Sequence, residues 1–368
     1  MISELSIRNF KRFPRATFQL GDFTLLTGLN GAGKSTVIQV LSLIRQSLES
    51  DAIKHGTIDL NGKYVQIGSG RDALCEDFSP LNDDEELPYI QFSLTSNLGI
   101  TAELLMDYEA TADHLGVVVD GPLNEMHIAT ASYQHVRADR VGPEVVSAHS
   151  FEQTVRQRSL GPRGEYAVDM LGAASDDRVP TLRCHEEARS ARLLDQTNAW
   201  MGEACPGIAL GVHSIPNTDA VRLDVGFGGT AGLSSSNRFR PTNVGFGVAY
   251  ALPIVVACLT APAGSLLAVE NPEAHLHPRG QSKLAELCAR TAKDGVQVIV
   301  ESHSDHFLNG LRLAKKGNRE LQAQIYYFDP SLDEGYISLE IDDRGMLPHW
   351  PDGFFDESSI LLSKIIRP

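Results

Sequence analysis

The chain has 368 residues, 42 % of them hydrophobic, and its 47 acidic against 32 basic side chains set a formal charge of −15. That length and apolar content suffice for a full core and exclude a disordered chain. The acidic balance excludes a broad nonspecific nucleic-acid surface, although a local basic groove remains compatible with it. The five widely spaced cysteines form no C-x-x-C pair. The N-terminus has no apolar signal core, and the longest apolar run, 249–260, is short for a bilayer span and contains Pro253. A soluble cytoplasmic protein with reduced thiols is expected.

Along the chain, Leu5 and Ile7 alternate with polar residues as in a half-buried strand, and a second strand is expected over 16–20. A third, mostly apolar strand over 23–27 runs into a glycine loop, after which Val37, Val40, Leu41, Ile44 and Leu48 recur at helical spacing. The middle, 51–230, reads as short alternating strands (89–94, 100–108), a polar glycine-containing stretch (145–164) and an amphipathic helix (188–201). No heptad persists, so no coiled-coil arm is expected. From Gly245 onward an apolar helix, a strand over 266–270, a helix over 279–293, a strand over 296–301, a helix over 305–314 and a strand over 325–328 alternate. Such alternation implies a mostly parallel sheet covered on both faces. The expected organisation is a discontinuous nucleotide-binding head (1–50 and 231–330), an inserted α+β region (51–230) and a short C-terminal domain (331–368).

The loop Gly28-Leu29-Asn30-Gly31-Ala32-Gly33-Lys34-Ser35-Thr36 fits G-x-x-x-x-G-K-[ST] between an apolar strand and a helix, the context that motif requires. Glycines let backbone N–H groups close around a phosphate, and the helix N-terminus adds partial positive charge. Asn30, Gly31, Gly33, Lys34, Ser35 and Thr36 are therefore the candidate nucleotide-binding residues. Lys34 is placed on the β- and γ-phosphates of ATP and Ser35 on Mg²⁺. The strand 266–270 ends on Glu270, the natural metal-shell acid, with Asn271, Pro272 and Glu273 following. Glu273, not tied to the metal, is the candidate general base. His303, at the end of the next strand, is placed to sense the γ-phosphate. His275 and His277 form an H-x-H pair with no further ligand at metal spacing, so zinc is not the favoured reading.

The order Gly-Leu-Asn-Gly-Ala-Gly-Lys-Ser, Glu-Asn-Pro-Glu-Ala-His-Leu-His-Pro and Glu-Ser-His-Ser resembles the ABC-type ATPases of the SMC/RecF/OLD branch. Ile7-Arg8-Asn9-Phe10-Lys11 is similar to the opening strand of that branch. Segments 138–143 and 161–165, together with 343–345 and 350–356, resemble one bacterial subgroup with a short C-terminal domain of unknown function. The resemblance implies a P-loop ABC-type head of the α/β class, with a mostly parallel sheet, an N-terminal antiparallel portion and the inserted α+β region. It further implies that ATP lies between two heads, the glycine surface of one closing on the phosphates held by the other. Gly245 and Gly247 carry that surface here. The usual Leu-Ser-Gly-Gly-Gln is absent, Ala249 stands where relatives often have serine, and Asn271 stands where many have their catalytic glutamate. Gln66 is a candidate glutamine-loop residue, with a surface strand position the stronger reading.

The resulting expectation is an ATP-hydrolysing homodimer that controls a separate effector protein in antiphage or anti-plasmid defence. The alternatives are a DNA-repair clamp similar to RecF, or a slow ATP-sensing switch. Intrinsic nuclease activity is not expected, because about 65 residues follow His303, fewer than the rest of a head plus a nuclease domain needs. Arg183, Arg189 and Arg192, interleaved with Glu186 and Glu187, read as a solvated mixed-charge face. Arg156, Arg158 and Arg163 are the better candidates for an anionic partner, with a polar loop the stronger reading.

Overall fold

The computed structural model describes residues 1–78, 88–227, 238–351, 354–355 and 357–366. The chain opens with the hairpin β1 (Ile2–Phe10) and β2 (Phe13–Gln19), then β3 (Phe23–Gly28), which feeds the helix Lys34–Glu49. β4 (Thr57–Asp59) and the meander β5 (Tyr89–Ser96), β6 (Thr101–Asp107) and β7 (His114–Asp120) follow. Next come β8 (Tyr133–Val136), β9 (Ser147–Ala148) and the hairpin β10 (Ile208–Ser214) with β11 (Ala220–Phe227). The last strands are β12 (Leu266–Glu270), β13 (Gln297–Glu301), β14 (Ala323–Phe328) and β15 (Tyr336–Glu340).

Two strand chemistries make two kinds of sheet. β6 alternates exposed and buried residues throughout, as an antiparallel strand with one wet face does, and it lies in the order β2-β1-β5-β6-β7-β4. β13 and β14 are buried at every position and belong to the order β15-β14-β3-β13-β12-β8, parallel except for the edge strand β15. Parallel strands must be covered on both faces, and the core divides accordingly. Leu25, Val269, Val300 and Tyr327 point into one cluster with the helices Leu193–Ala204, Phe246–Thr260, Pro278–Lys293 and Asp305–Gly317. Leu26, Ala268, Ile299 and Phe328 point into the other, against the helix Lys34–Glu49 and the β1–β5 sheet. Period-two alternation along each strand thus assigns the two layers.

Residues between 51 and 230 take three places. β4 to β7 extend the sheet of β1 and β2, β8 borders β12 in the parallel sheet, and β9 to β11 make a three-stranded sheet of their own. The proposed boundary at 230/231 lies outside the described residues.

Arg183 departs from the solvated face expected of it. It is fully buried, its Nε ion-paired with Asp294 at 2.8 Å while Nη1 donates to the Cys258 carbonyl at 2.9 Å. It also donates to the Ala261 carbonyl, so it serves the end of the helix Phe246–Thr260, where carbonyls lack intrahelical partners. Arg156, Arg158 and Arg163 pair with Glu152, Asp177 and Asp139 at 3.3, 2.8 and 3.5 Å. Among the described residues no helix is long and apolar enough to cross a membrane.

Candidate active site at the phosphate loop

β3 delivers the chain to Gly28 with φ 129°, and a Cβ there would stand 2.1 Å from the Phe328 carbonyl oxygen of the neighbouring strand. Gly33 has φ 102° and packs under the Phe13 ring, which a Cβ would meet at 2.6 Å. Both positions therefore require glycine. The helix Lys34–Glu49 starts from Gly33 with no side-chain cap, leaving the arrangement of first-turn N–H groups that suits an anion. Around this end lies an open cavity of about 470 Å³.

Of the residues expected to bind nucleotide, Asn30, Gly31, Gly33, Lys34, Ser35 and Thr36 line this cavity, together with Glu270 and His303. Lys34 is buried and its Nζ donates to the carbonyls of Gly28 and Leu29 at 3.2 and 2.6 Å. Burial lowers its pKa, against the opposing charges of Glu301 and Glu273. His303 is likewise shifted down, by burial and then by the Lys34 charge, which favours a neutral imidazole.

Three carboxylates stand close together, each held differently; Glu270 and Glu301 line the cavity, whereas Glu273, the candidate base, does not. Both Glu270 oxygens accept hydrogen bonds, Oε1 from His135 Nε2 at 3.0 Å and Oε2 from the Ala138 N–H at 2.9 Å. Burial opposes its ionisation, but these partners win and hold the carboxyl below its usual range. Glu273 is gripped by Ser302, whose hydroxyl donates to Oε2 at 2.8 Å, and by the His303 N–H, which donates to Oε1 at 2.6 Å. This ties the candidate base to the candidate sensor. Glu301 accepts from the Ser35 hydroxyl at 3.1 Å through Oε1, while its Oε2 is buried without a hydrogen-bond partner. Burial and then the Glu270 charge push its pKa up to about 7.

The turn after β12 is pinned from below. Arg140 is buried and donates to the carbonyls of Glu270 (2.6 Å), Asn271 (2.7 Å) and Arg137 (3.1 Å), and its guanidinium lies 5.2 Å from the Tyr250 ring centroid. Asn271 and His275 have φ of 45° and 62°, left-handed values that non-glycine residues seldom adopt. Tyr250 and Phe246 close on His275, with ring centroids 4.8 and 5.4 Å away, and a Cβ added at Gly247 would meet the His275 carbonyl oxygen at 2.7 Å. His277 instead caps the helix Pro278–Lys293, so the two histidines serve different neighbours. Gly245 and Gly247 do not line the phosphate cavity, and exposed Gln66 lies outside it as well.

Residues 1–110 match the family described as "AAA ATPase domain", and residues 200–309 match "AAA domain, putative AbiEii toxin, Type IV TA system". Residues 320–365 match "Protein of unknown function (DUF3696)". The chain is 24 % identical over 345 residues to an OLD nuclease of Thermus scotoductus, covering 86 % of this chain and 62 % of that protein. It therefore spans less than two thirds of the length of that relative. An SMC head, solved bound to the C-winged helix domain of ScpA, shares the fold with a TM-score of 0.54 at 12 % identity, covering 92 % of this chain and 98 % of the head.

Both halves of the chain thus match AAA ATPase domains, on the fold of an SMC head. Several side chains of this ATPase received no individual role from the sequence: Glu301, His135, Arg140 and the cavity residues Lys11, Arg12 and Gln39. Lys11 donates to Gln39 Oε1 at 2.9 Å. Only Glu301 had a usable signal, since its strand, like β12, is apolar and ends in an acid.

Proposed function

We propose that this ATPase holds ATP and Mg²⁺ between two copies of the chain, and that the closed dimer controls a partner effector in antiphage or anti-plasmid defence. The observation that carries the two-copy reading is the separation of the phosphate loop from the glycine surface. Gly245 caps the helix Phe246–Thr260, its Cβ position is open to at least 4 Å, and Phe246 beside it is 54 % exposed. That helix end suits a phosphate but lies outside the cavity of its own chain. A second copy supplies it in the proposed assembly.

Within the site, the loop N–H groups and Lys34 cradle the β- and γ-phosphates. The buried unpartnered oxygen of Glu301 and the Ser35 hydroxyl are hard oxygen donors of the kind a divalent cation takes, which supports this reading. Ser35 together with carboxylate at the ends of β12 and β13 would hold Mg²⁺, which when bound offsets negative charge on the phosphates. Glu273, oriented by Ser302 and the His303 N–H, takes a proton from the attacking water. His303 faces the γ-phosphate as a neutral imidazole.

The effector and defence parts are supported by the AbiEii description, by the OLD relative and by a partner domain on the SMC head of like fold. Nuclease activity is assigned to the partner rather than to this chain. A second reading, a slow ATP-sensing switch, is favoured by Asn271 and Ala249. The test is ATP turnover by the purified protein and by Glu273→Gln, followed by recovery of tagged Glu273→Gln from its native cells with ATP. Turnover lost in the variant and a co-purifying effector protein support the proposal. ATP-driven dimers without turnover favour the switch, and DNA alone favours the repair clamp. Nicking of supercoiled plasmid by the purified chain would sink the separate-nuclease part.

A further inference from the structure

We propose that Glu301 is a direct ligand of the Mg²⁺ that accompanies ATP, sharing it with Ser35, while Glu270 acts beside it as a hydrogen-bonded positioning carboxylate. The assignment rests on the nucleotide reading above. Glu301 ends β13 at 7 % exposure and lines the phosphate cavity. The Ser35 hydroxyl, the one side-chain metal ligand that the phosphate-loop motif itself supplies, donates to Glu301 and not to Glu270. Glu301 Oε2 is buried with no donor, an unusual state for a carboxylate oxygen. A hard divalent cation satisfies such an oxygen, and Mg²⁺ binds through one or two carboxylates together with phosphate oxygens.

Glu270 offers the contrasting case. It pairs with Glu301 across the β12–β13 ladder, so the two acids stand at the same height in the sheet. Its two oxygens are already engaged by His135 and by the Ala138 N–H, both from the β8 side. His135 is in turn fixed by Ser42 Oγ at 3.2 Å, so this partner is itself braced. The carboxylate with an unused oxygen is Glu301.

The experiment titrates a fluorescent ATP analogue into the full chain with EDTA, then adds MgCl₂ at fixed analogue, for wild type, Glu301→Gln, Glu301→Asp and Glu270→Gln. Metal-free analogue binding by Glu301→Gln should be no weaker than wild type. Its half-saturating Mg²⁺ concentration should rise at least about tenfold, as expected for loss of a metal-site group. Glu301→Asp, which keeps a carboxylate on a shorter stem, should fall between the two and gives the reading if Glu301→Gln does not fold. Glu270→Gln should shift the Mg²⁺ midpoint less than Glu301→Gln does. An unchanged midpoint in both Glu301 variants, or the larger shift in Glu270→Gln, overturns the proposal. No analogue binding by wild type, with or without Mg²⁺, would remove the nucleotide reading itself and the ligand assignment with it.

Discussion

β12 and β13 run side by side, are buried along nearly their whole length, and end on the same residue type at the same height. Their terminal carboxylates nevertheless have opposite surroundings. Glu270 has both oxygens engaged by donors from β8 and the segment after it and is held ionised, whereas Glu301 has one hydroxyl partner, one buried bare oxygen and a pKa raised to about 7. Strand chemistry places an acid at the end of a parallel strand, beside the phosphate loop. Which acid can take a metal is decided by what packs on the next strand over.

The largest effect should come from the carboxylate between the two strands. Glu273→Gln is expected to cut turnover by roughly 10²–10⁴ while leaving nucleotide affinity nearly unchanged, as loss of a general base does. Stopped turnover together with lost binding would make Glu273 a folding residue instead. Arg140→Met comes next. It strips the donor from the Glu270 and Asn271 carbonyls at the end of β12 and from the Arg137 carbonyl after β8. At about 1–3 kcal/mol for a buried group left unsatisfied, it should lower the urea midpoint clearly. Because it loosens the turn that carries Glu273, it should also lower kcat more than it raises KM. His135→Ala should cost about 1–3 kcal/mol by orphaning a Glu270 oxygen, read by the same denaturant midpoint. Its Mg²⁺ requirement should stay closer to wild type than that of Glu301→Gln. Ile365→Ser, at a position 79 % exposed in the C-terminal helix, should change stability by no more than about 0.5 kcal/mol and leave Mg²⁺ dependence untouched.

The phosphate loop was legible because all its determinants are local: an apolar strand, the glycines with their left-handed φ values, Lys34 and Ser35, then a helix. The positions of Glu270 and His303 beside the phosphate cavity were legible for the same reason, the first ending β12 and the second lying two residues past β13 in a parallel sheet. The α/β class followed from the alternation after Gly245, and the meander of β5 to β7 showed in its period of two. Pairing partners were not legible. Nothing in the spacing says that β5 lies beside β1, or that β8 borders β12 and brings His135, Ala138 and Arg140 to the acidic turn. Arg183 misled because its sequence neighbours are charged and exposed, while its own side chain turns inward to a helix end. Long side chains travel several ångströms from the backbone that carries them, so local composition is a poor guide to where an arginine head sits.

The most direct test of the two-copy site mixes two variants, each defective in one half. Lys34→Ala lacks the phosphate-loop cation but keeps the glycine surface. Gly245→Glu should fold, because its Cβ enters open space at an ordinary φ of −59°, yet it places a carboxylate on the phosphate-facing surface. Carrying separate fluorophores and given ATP with Mg²⁺, neither variant should self-associate, whereas the mixture should show energy transfer through its one intact composite site. Gly245→Glu that binds and turns over ATP like the wild-type protein, with no gain on mixing, would contradict the account.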